Sequence, residues 1–226
     1  MKKIAVIIYG PPGAGKGTQA DLLAKALNLV HFDIGSYLEQ IVHDPANRKD
    51  KKIQEERRNF DSGILCDPFW VAKLAADRIR TIARAGLSLI LSGSLRTINE
   101  TFGKQGLLHV VEEEYGKKNI FFFLLKVNPQ SSIKRNSSRF ICKVCGRPTL
   151  TQYLSLKPKA CPVCGGKLRR RTLDKPQVIK VRIREFNERT APIFRELKKH
   201  GHIVRPVNGE LAPYKVHQEI LRKLRG

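Results

Sequence analysis

Acidic side chains are scarce in this sequence, which has 20 Asp and Glu residues against 43 Lys and Arg residues. The formal net charge is +23, and the shortage is uneven, because residues 117–173 contain fourteen Lys or Arg residues and no acidic residue. An excess of this size indicates an anionic partner, such as nucleotide phosphate, nucleic acid or a membrane surface. The alternative is a solvated basic face that serves only solubility.

Long apolar runs are also missing. No apolar stretch reaches the roughly 18 residues that a membrane-spanning helix needs. Met1, Lys2 and Lys3 lead directly into a strand-like segment, which does not fit a signal peptide. No basic amphipathic helix with bulky aromatic residues stands out, so a membrane is the least favoured partner. We therefore expect a cytoplasmic, monomeric protein that does not bind membranes.

A glycine-rich segment stands directly between an apolar run at residues 4–9 and a helical pattern that starts at residue 20. It reads Gly10-Pro11-Pro12-Gly13-Ala14-Gly15-Lys16-Gly17-Thr18. In a strand–loop–helix context, backbone N–H groups and the helix N-terminus bind an anion, and the lysine reaches the β- and γ-phosphates. The general phosphate-binding loop has Ser or Thr directly after the lysine, whereas here a glycine intervenes. The predicted nucleotide-binding residues are Gly13, Ala14, Gly15, Lys16, Gly17 and Thr18.

Strand-like runs alternate with helical patterns along the chain. The strands are predicted at residues 4–9, 30–34, 88–92, 119–127 and 202–207, and the helices at residues 20–27, 67–84, 129–136, 177–200 and 213–224. This alternation predicts an α/β fold with a parallel sheet covered by helices on both faces. Two segments interrupt it, a polar, helix-prone stretch at residues 44–63 and a Gly- and Pro-containing stretch at residues 140–171.

Four of the five cysteines form two Cys-x2-Cys pairs that are separated by fifteen residues. The pairs are Cys142 with Cys145 and Cys161 with Cys164. This spacing predicts a tetrahedral Zn²⁺ site, and four protein ligands leave no open position for catalysis, so the zinc is expected to be structural. Zinc binding in small modules supplies about 10–16 kcal/mol of ordering free energy. The fifth cysteine, Cys66, is predicted to be a buried apolar residue.

Three motifs together resemble the adenylate kinase family, in its long form with a zinc-bearing lid. They are the glycine-rich segment at residues 10–20, Ser92-Gly93-Ser94-Leu95-Arg96-Thr97, and Arg189-Thr190-Ala191-Pro192-Ile193. The resemblance covers nearly the whole chain. It implies a P-loop kinase core at residues 1–35, 64–139 and 172–226, a helical acceptor-binding insertion at residues 36–63, and a zinc-ribbon lid at residues 140–171.

The resemblance also implies roles for five arginines around the nucleotides. Arg135 and Arg139 match residues that grip ATP, Arg171 and Arg182 match residues that stabilise the transferring phosphoryl group, and Arg96 matches the residue that binds the acceptor phosphate. Arg169 or Arg170 could substitute for Arg171. The predicted catalytic residues are Lys16, Arg96, Arg135, Arg171 and Arg182, and the implied cofactors are ATP, Mg²⁺ and structural Zn²⁺.

The acceptor side departs from the family pattern. The family's Thr-Gly-Asp-x-Leu-Arg is Ile34-Gly35-Ser36-Tyr37-Leu38-Glu39 here, so a carboxylate replaces the phosphate-clamping arginine. A carboxylate about 4 Å from a phosphate would cost roughly 4 kcal/mol at an effective dielectric of 20. AMP is therefore expected to bind poorly, unless a basic residue of the insertion replaces the clamp. The candidates are Lys49, Lys51, Lys52, Arg57 and Arg58.

Two further family positions are altered. A carboxylate near the magnesium is replaced by Ser92, which leaves the Mg²⁺ ligands unassigned. The glutamine that reads adenine corresponds to Glu100, whose carboxylate could accept from the two adjacent donors of guanine, so GMP is an alternative acceptor. A simpler interpretation is that Glu39 and Glu100 point to solvent.

Three functions stay open at this point. The first is ATP-dependent phosphoryl transfer to a nucleoside monophosphate, with AMP as the leading acceptor. The second is a P-loop ATP-binding protein whose basic zinc lid binds RNA or a ribonucleoprotein, and the third is an inactive structural relative. The residues predicted to bind a polyanion are Lys143, Arg147, Lys157, Lys159, Lys167, Arg169 and Arg170.

Overall fold

The computed structural model of the protein describes residues 3–149 and 159–225. Lys157 of the predicted polyanion surface therefore lies outside the described residues. The strands are β1 (Ala5–Tyr9), β2 (Val30–Asp33), β3 (Leu89–Ser92), β4 (Ile120–Lys126), β5 (Phe140–Cys142), β6 (Pro148–Thr149), β7 (Leu168–Arg169) and β8 (Val204–Asn208). The helices are α1 (Lys16–Leu27), α2 (Ile34–His43), α3 (Lys51–Ser62), α4 (Pro68–Arg84), α5 (Ile98–Phe102), α6 (Leu107–Tyr115), α7 (Pro129–Ser138), α8 (Pro176–Glu185), α9 (Ile193–Lys199) and α10 (Pro213–Arg225).

Five strands form a parallel sheet in the order β2-β3-β1-β4-β8. Side chains of β1 alternate between two hydrophobic clusters, with Ile7 and Tyr9 in one and Val6 and Ile8 in the other. Helices α4, α6 and α9 contribute to the first cluster, and α1 and α10 contribute to the second. Because successive strand residues point to opposite faces, both faces of the sheet are covered. The predicted fold class is confirmed.

Helices α2, α3, α4, α5 and α7 begin at a side-chain cap. The Asp67 carboxylate accepts a hydrogen bond from the Trp70 N–H (2.8 Å), and Pro68 occupies the first position of α4, as predicted. Helix α1 begins at Lys16, earlier than the predicted start at residue 20. The phosphate-binding loop feeds directly into this helix through Gly15 (φ 89°), and the polar first turn lacks the apolar periodicity on which the prediction relied.

The chain after β2 forms two helices that pack against each other, and the second of them, α3, lies in the polar stretch at residues 44–63. The Asp33 carboxylate accepts from the Ser36 N–H (3.2 Å), so α2 begins at Ile34, where the sequence predicted the end of a strand. A 3₁₀ turn, Pro45–Asn47, joins α2 to α3. The buried Glu56 carboxylate accepts from the Asp67 N–H (2.9 Å) and lies 2.7 Å from Lys52 Nζ. These contacts attach α3 to the start of α4.

The cysteine segment forms a second, antiparallel sheet in the order β6-β5-β7. It is followed by a 3₁₀ turn, Thr172–Asp174, and by a long helical stretch. The predicted single helix at residues 177–200 is divided into α8 and α9 by a π-helical turn, Phe186–Thr190, that ends just before Pro192. The proline lacks a backbone N–H and so cannot complete a regular helical ladder there. Within the described residues, no helix is both long and apolar enough to cross a membrane.

Candidate functional site

A cleft of about 850 Å³ opens at the carboxyl ends of the parallel strands. In an open α/β sheet this edge is where ligands bind. All predicted nucleotide-binding and catalytic residues line the cleft, together with residues of the lid and of β2 and β3. These are Gly13, Ala14, Gly15, Lys16, Gly17, Thr18, Arg96, Arg135, Arg139, Arg171 and Arg182. Their roles stay predictions, but the fold brings them to one place.

The glycine-rich loop approaches helix α7 closely. Gly13 has φ +76°, and a Cβ added there would lie 2.5 Å from Asn136 Nδ2 and 2.8 Å from Ser132 O. A side chain at this position is therefore excluded both by backbone conformation and by space. A Cβ at Gly15 or Gly17, in contrast, would meet no atom within 4 Å. The loop is tight against the protein on one side and open toward the cleft on the other.

Lys16 folds back over the loop. Its Nζ donates to the carbonyl oxygens of Gly10 (2.7 Å) and Pro11 (3.0 Å). Burial lowers the pKa of Lys16 well below its usual range, and the neighbouring charges of Arg96 and Arg182 lower this pKa further. A bound phosphate would act in the opposite direction, because an anion favours the charged amine. The surroundings of Lys16 are therefore those of an anion site.

Three of the arginines are held by hydrogen bonds within the protein. Arg139 donates to both oxygens of the buried Asp174 carboxylate, from Nε (3.0 Å) and from an Nη (2.6 Å). Arg182 donates to Leu173 O (3.3 Å), and its pKa is lowered by burial and by the nearby arginines. Arg135 donates to the carbonyl oxygen of Gly209 (2.7 Å). These contacts limit the movement of the guanidinium groups before any ligand binds.

Arg96 is held in place by hydrogen bonds of its backbone, and its guanidinium takes no part in them. Its N–H donates to Glu100, and its carbonyl oxygen accepts from the Thr190 hydroxyl of the π-helical turn (2.9 Å). The guanidinium lies against Gly93, where an added Cβ would be 2.6 Å from Nη2. Among residues 3–149 and 159–225, no hydrogen-bond partner of this guanidinium is found. It is available to an anion in the cleft.

Glu39 does not point to solvent. Its carboxylate accepts a hydrogen bond from Arg171 and lies 3.4 Å from an Nη of Arg169, so helix α2 is linked to the chain that leaves the lid. The expected repulsion of an acceptor phosphate is therefore reduced, because Glu39 is partly neutralised within the protein. None of the five basic residues proposed to replace the clamp lines the cleft, and two of them pair on α3 itself, Lys52 with Glu56 and Arg57 with Asp61.

Glu100 is a structural residue, and both earlier interpretations of it are wrong. It is buried, and its two carboxylate oxygens accept from the N–H groups of Leu95 (2.6 Å) and Arg96 (3.0 Å). Burial raises the pKa of this carboxyl, although the same N–H groups act against the rise. The side chain braces the loop that carries Arg96. It neither reads a guanine base nor faces solvent.

The four predicted zinc ligands converge on one point. Their Sγ atoms all lie within 4.8 Å of one another, with Cys142 and Cys164 3.5 Å apart and Cys145 and Cys161 3.7 Å apart. Zn–S bonds of about 2.3 Å in a tetrahedron place sulfur atoms about 3.8 Å apart, so the cluster fits Zn²⁺. Cys142 Sγ accepts hydrogen bonds from the backbone N–H groups of Val144 (3.3 Å) and Cys145 (3.5 Å), which lower the pKa of this thiol and favour its thiolate.

Comparison with known proteins agrees with this geometry. A family model described as an AAA domain matches residues 9–140, more than half of the chain. An adenylate kinase of Kosmotoga olearia is 30% identical over 222 residues, which cover 97% of this chain and 98% of the relative. The chain belongs to the adenylate kinase family. Adenylate kinases of Chlamydia pneumoniae (31% identical, 96% of this chain, 95% of the relative) and Thermosipho africanus (30%, 97% and 99%) are similarly related. The predicted family and enzyme class, a nucleoside monophosphate kinase, are confirmed at family level.

Three polar side chains that were not predicted from the sequence lie in the cleft together with the phosphate-binding loop. Asp21, His31 and Asp33 line the cleft, from α1 and β2. A signal was present, because His31 and Asp33 interrupt a short strand whose carboxyl end adjoins the phosphate-binding loop. Parallel strands that end at the same edge bring such residues together.

Proposed function

We propose that this chain catalyses ATP-dependent phosphoryl transfer to a nucleoside monophosphate, with AMP as the first acceptor to test. The observation that carries this proposal is the arrangement of Lys16 and five arginines around one cleft beside a phosphate-binding loop. Phosphoryl transfer requires in-line positioning and neutralisation of charge on the equatorial oxygens, and it requires no protein nucleophile. An acceptor phosphate oxygen forms the new bond to the γ-phosphorus as the bond to the ADP oxygen breaks.

The donor half of the cleft binds ATP in this proposal. The N–H groups of the glycine-rich loop and Lys16 hold the β- and γ-phosphates. Arg135 of α7, Arg139 directly after α7 and Arg182 of α8 provide the remaining positive charge. Asp174 fixes Arg139 through two hydrogen bonds, so this guanidinium loses little further freedom when ATP binds. Preorganised charge of this kind stabilises a transition state without reorganisation.

Mg²⁺ fits the oxygen donors at the same end of the cleft. The Thr18 hydroxyl, the Asp33 carboxylate and the Ser92 hydroxyl line it, and such hard oxygens, with water and phosphate, are what Mg²⁺ prefers. We propose that Thr18 and Asp33 are the protein groups that would hold it. When bound, Mg²⁺ neutralises charge on the β- and γ-phosphates.

The acceptor half binds the monophosphate through Arg96. Arg171 is the second cation near this place, but its guanidinium is shared with Glu39. An acceptor phosphate must therefore compete with a carboxylate that is already part of the protein. We expect binding of AMP to be weaker than in a site with two unshared arginines.

Three parts of the chain have separate tasks in this proposal. The core is residues 1–35, 64–139 and 172–226, the acceptor-binding insertion is residues 36–63, and the lid is residues 140–171. The four clustered cysteines would hold a structural Zn²⁺, because the sulfur geometry fits a tetrahedron and offers no open position. The lid contributes residues 145–149 to the cleft, so its order bears on nucleotide binding.

Steady-state phosphotransfer from ATP to AMP, GMP, CMP and UMP, measured separately, tests the proposal. We expect AMP to be the best acceptor and Lys16→Ala to lose turnover with all four. Absence of transfer to every monophosphate by folded, zinc-loaded protein would contradict it.

The RNA-binding alternative is a prediction from the sequence that no contact among the described residues favours, since Arg169 pairs with Glu39 and Arg170 stacks over Phe140.

A further inference from the structure

A hydrogen-bonded chain of three side chains crosses the donor end of the cleft. His31 Nδ1 lies 2.8 Å from Asp21 Oδ1, and His31 Nε2 lies 2.8 Å from Ser92 Oγ. The three residues come from α1, β2 and β3, and all of them line the cleft. None of the three is among the catalytic or nucleotide-binding residues predicted from the sequence. Ser92 stands where the family pattern has a carboxylate.

In the neutral state of His31, the order of partners fixes the direction of the hydrogen bonds. A carboxylate only accepts, so Asp21 requires the proton of a neutral His31 to be on Nδ1. Nε2 is then an acceptor, and the Ser92 hydroxyl must donate its proton to it. A serine hydroxyl that already donates its hydrogen to His31 can only accept hydrogen bonds from its other neighbours. In hydrogen-bonding terms it behaves as a carboxylate oxygen does.

We propose that Asp21 and His31 make Ser92 an acceptor-only group, which binds a water molecule of the nucleotide-bound Mg²⁺ in place of the missing carboxylate. The inference rests on the proposed function, because it needs ATP in the donor half. Ser92 contacts the hydrated ion through that water, and His31 and Asp21 are positioning residues. The negative charge that the family pattern has at position 92 is moved to Asp21, one imidazole ring away.

Burial along the chain predicts the relative weight of each residue. Ser92 is 3% exposed, the His31 side chain 15% and the Asp21 side chain 58%. The charge of an exposed carboxylate is screened by water, so Asp21 acts mainly by fixing the tautomer. Loss of the Ser92 hydroxyl and loss of the His31 acceptor nitrogen should therefore weaken metal binding by similar amounts. Loss of the Asp21 charge should weaken it less.

The experiment measures ATP affinity of the zinc-loaded protein by titration calorimetry, once with Mg²⁺ and once in a buffer from which Mg²⁺ is left out, without a chelator, so that the lid keeps its zinc. The ratio of the two affinities reports the coupling between metal and nucleotide and does not depend on turnover. We expect Ser92→Ala and His31→Phe to reduce this ratio about tenfold, as loss of groups that orient a metal's ligands does, and to leave ATP affinity without Mg²⁺ nearly unchanged. Asp21→Asn should reduce it less. His43→Phe is the control, because both nitrogens of His43 are engaged, by Glu39 O and Asp61, outside the cleft.

A double variant separates this inference from a structural role of His31. Ser92→Asp supplies a carboxylate that accepts without help, so His31→Phe should cost much less coupling in that background than in wild type. An equal cost in both backgrounds, or full Mg²⁺ coupling in Ser92→Ala, would overturn the inference while ATP binding stands. If the wild-type protein binds no ATP under either condition, the proposed function fails, and this inference fails with it.

Discussion

The two halves of the cleft balance their positive charges differently. In the donor half, the hydrogen bonds of the Lys16 amine to described residues all go to backbone carbonyl oxygens, and burial, followed by the charges of Arg96 and Arg182, lowers its pKa. In the acceptor half, Glu39 already occupies Arg171. The difference indicates that the donor half is arranged for a highly charged ligand. In the acceptor half, the Arg96 guanidinium has no hydrogen-bond partner among the described residues, whereas an anion at Arg171 must compete with the protein's own carboxylate.

Metal removal should disturb the donor half most. Chelation, or Cys142→Ser, is expected to unfold residues 140–171 and leave the core folded, because the small lid depends on its ion for about 10–16 kcal/mol of ordering. Zinc content per chain, limited proteolysis of the lid and thermal melting of the core measure this. Cys66→Ala is the matched control, since Cys66 lies apart from the cluster and should leave one zinc per chain. An ordered, protease-resistant lid without metal would contradict the prediction.

Lys16→Ala should have the next largest effect. Removal of one preorganised donor to developing charge costs roughly 10²–10³-fold in kcat, and here the lost group is the charge inside the phosphate-binding loop. Steady-state phosphotransfer with saturating ATP measures it. Lys73→Ala removes an exposed lysine of α4, away from the cleft, and should change nothing. Turnover at the wild-type rate in Lys16→Ala would mean that this loop does not hold the transferred phosphate.

Glu100→Gln tests whether the acceptor half depends on a braced loop. One of two buried N–H groups would lose its acceptor, so the free energy of unfolding should fall by about 1–3 kcal/mol. The order of preference among monophosphates should stay the same. Because burial raises the pKa of Glu100, wild-type stability falls as the pH rises through this carboxyl's titration, and the variant should lack that fall. Urea denaturation at several pH values measures both effects. A switch of preference between AMP and GMP would restore the base-reading role.

Glu39→Gln should have the smallest effect and bears most directly on the comparison. Partly exposed ion pairs contribute about 0.2–1 kcal/mol, so releasing Arg171 should lower the acceptor KM about two- to fivefold and leave the KM for ATP unchanged. Glu39→Gln removes only the negative charge, whereas Glu39→Arg would also add a guanidinium beside Arg171 and Arg169. Glu55→Gln, an exposed glutamate on α3, is the control. A raised acceptor KM would show that Glu39 holds Arg171 in a productive position.

Local patterns predicted the parts of the fold that depend on neighbours in sequence. The glycine-rich loop, the paired cysteines, the capped start of α4 and the buried β4 all have such signals, and the structure has them. Helices α5 and α6 were missed, because they are short and because polar residues of α5, such as Glu100, are buried. The sequence alone does not distinguish a glutamate that accepts hydrogen bonds from buried backbone N–H groups from one that faces solvent.

The acceptor site was harder to predict because its partners are far apart in the chain. Glu39 and Arg171 are separated by 132 positions, and nothing near either residue indicates the other. The chain Asp21–His31–Ser92 likewise needs the strand order β2-β3-β1 before its members become neighbours. The resemblance supplied the family's residues, and it could not supply contacts made by residues in which this chain departs from the family.

The ion pair between Arg139 and Asp174 has a consequence for how this protein can be altered. Arg139 is the last residue before the lid and Asp174 follows it closely, so their two hydrogen bonds fasten the two ends of the lid together at its base. A segment whose ends are already joined can change in length at modest entropic cost, because loop closure depends only weakly on the number of residues enclosed. The lid is therefore a replaceable segment. If a shorter, metal-free segment is grafted between residues 139 and 174, we expect the core to fold with unchanged stability.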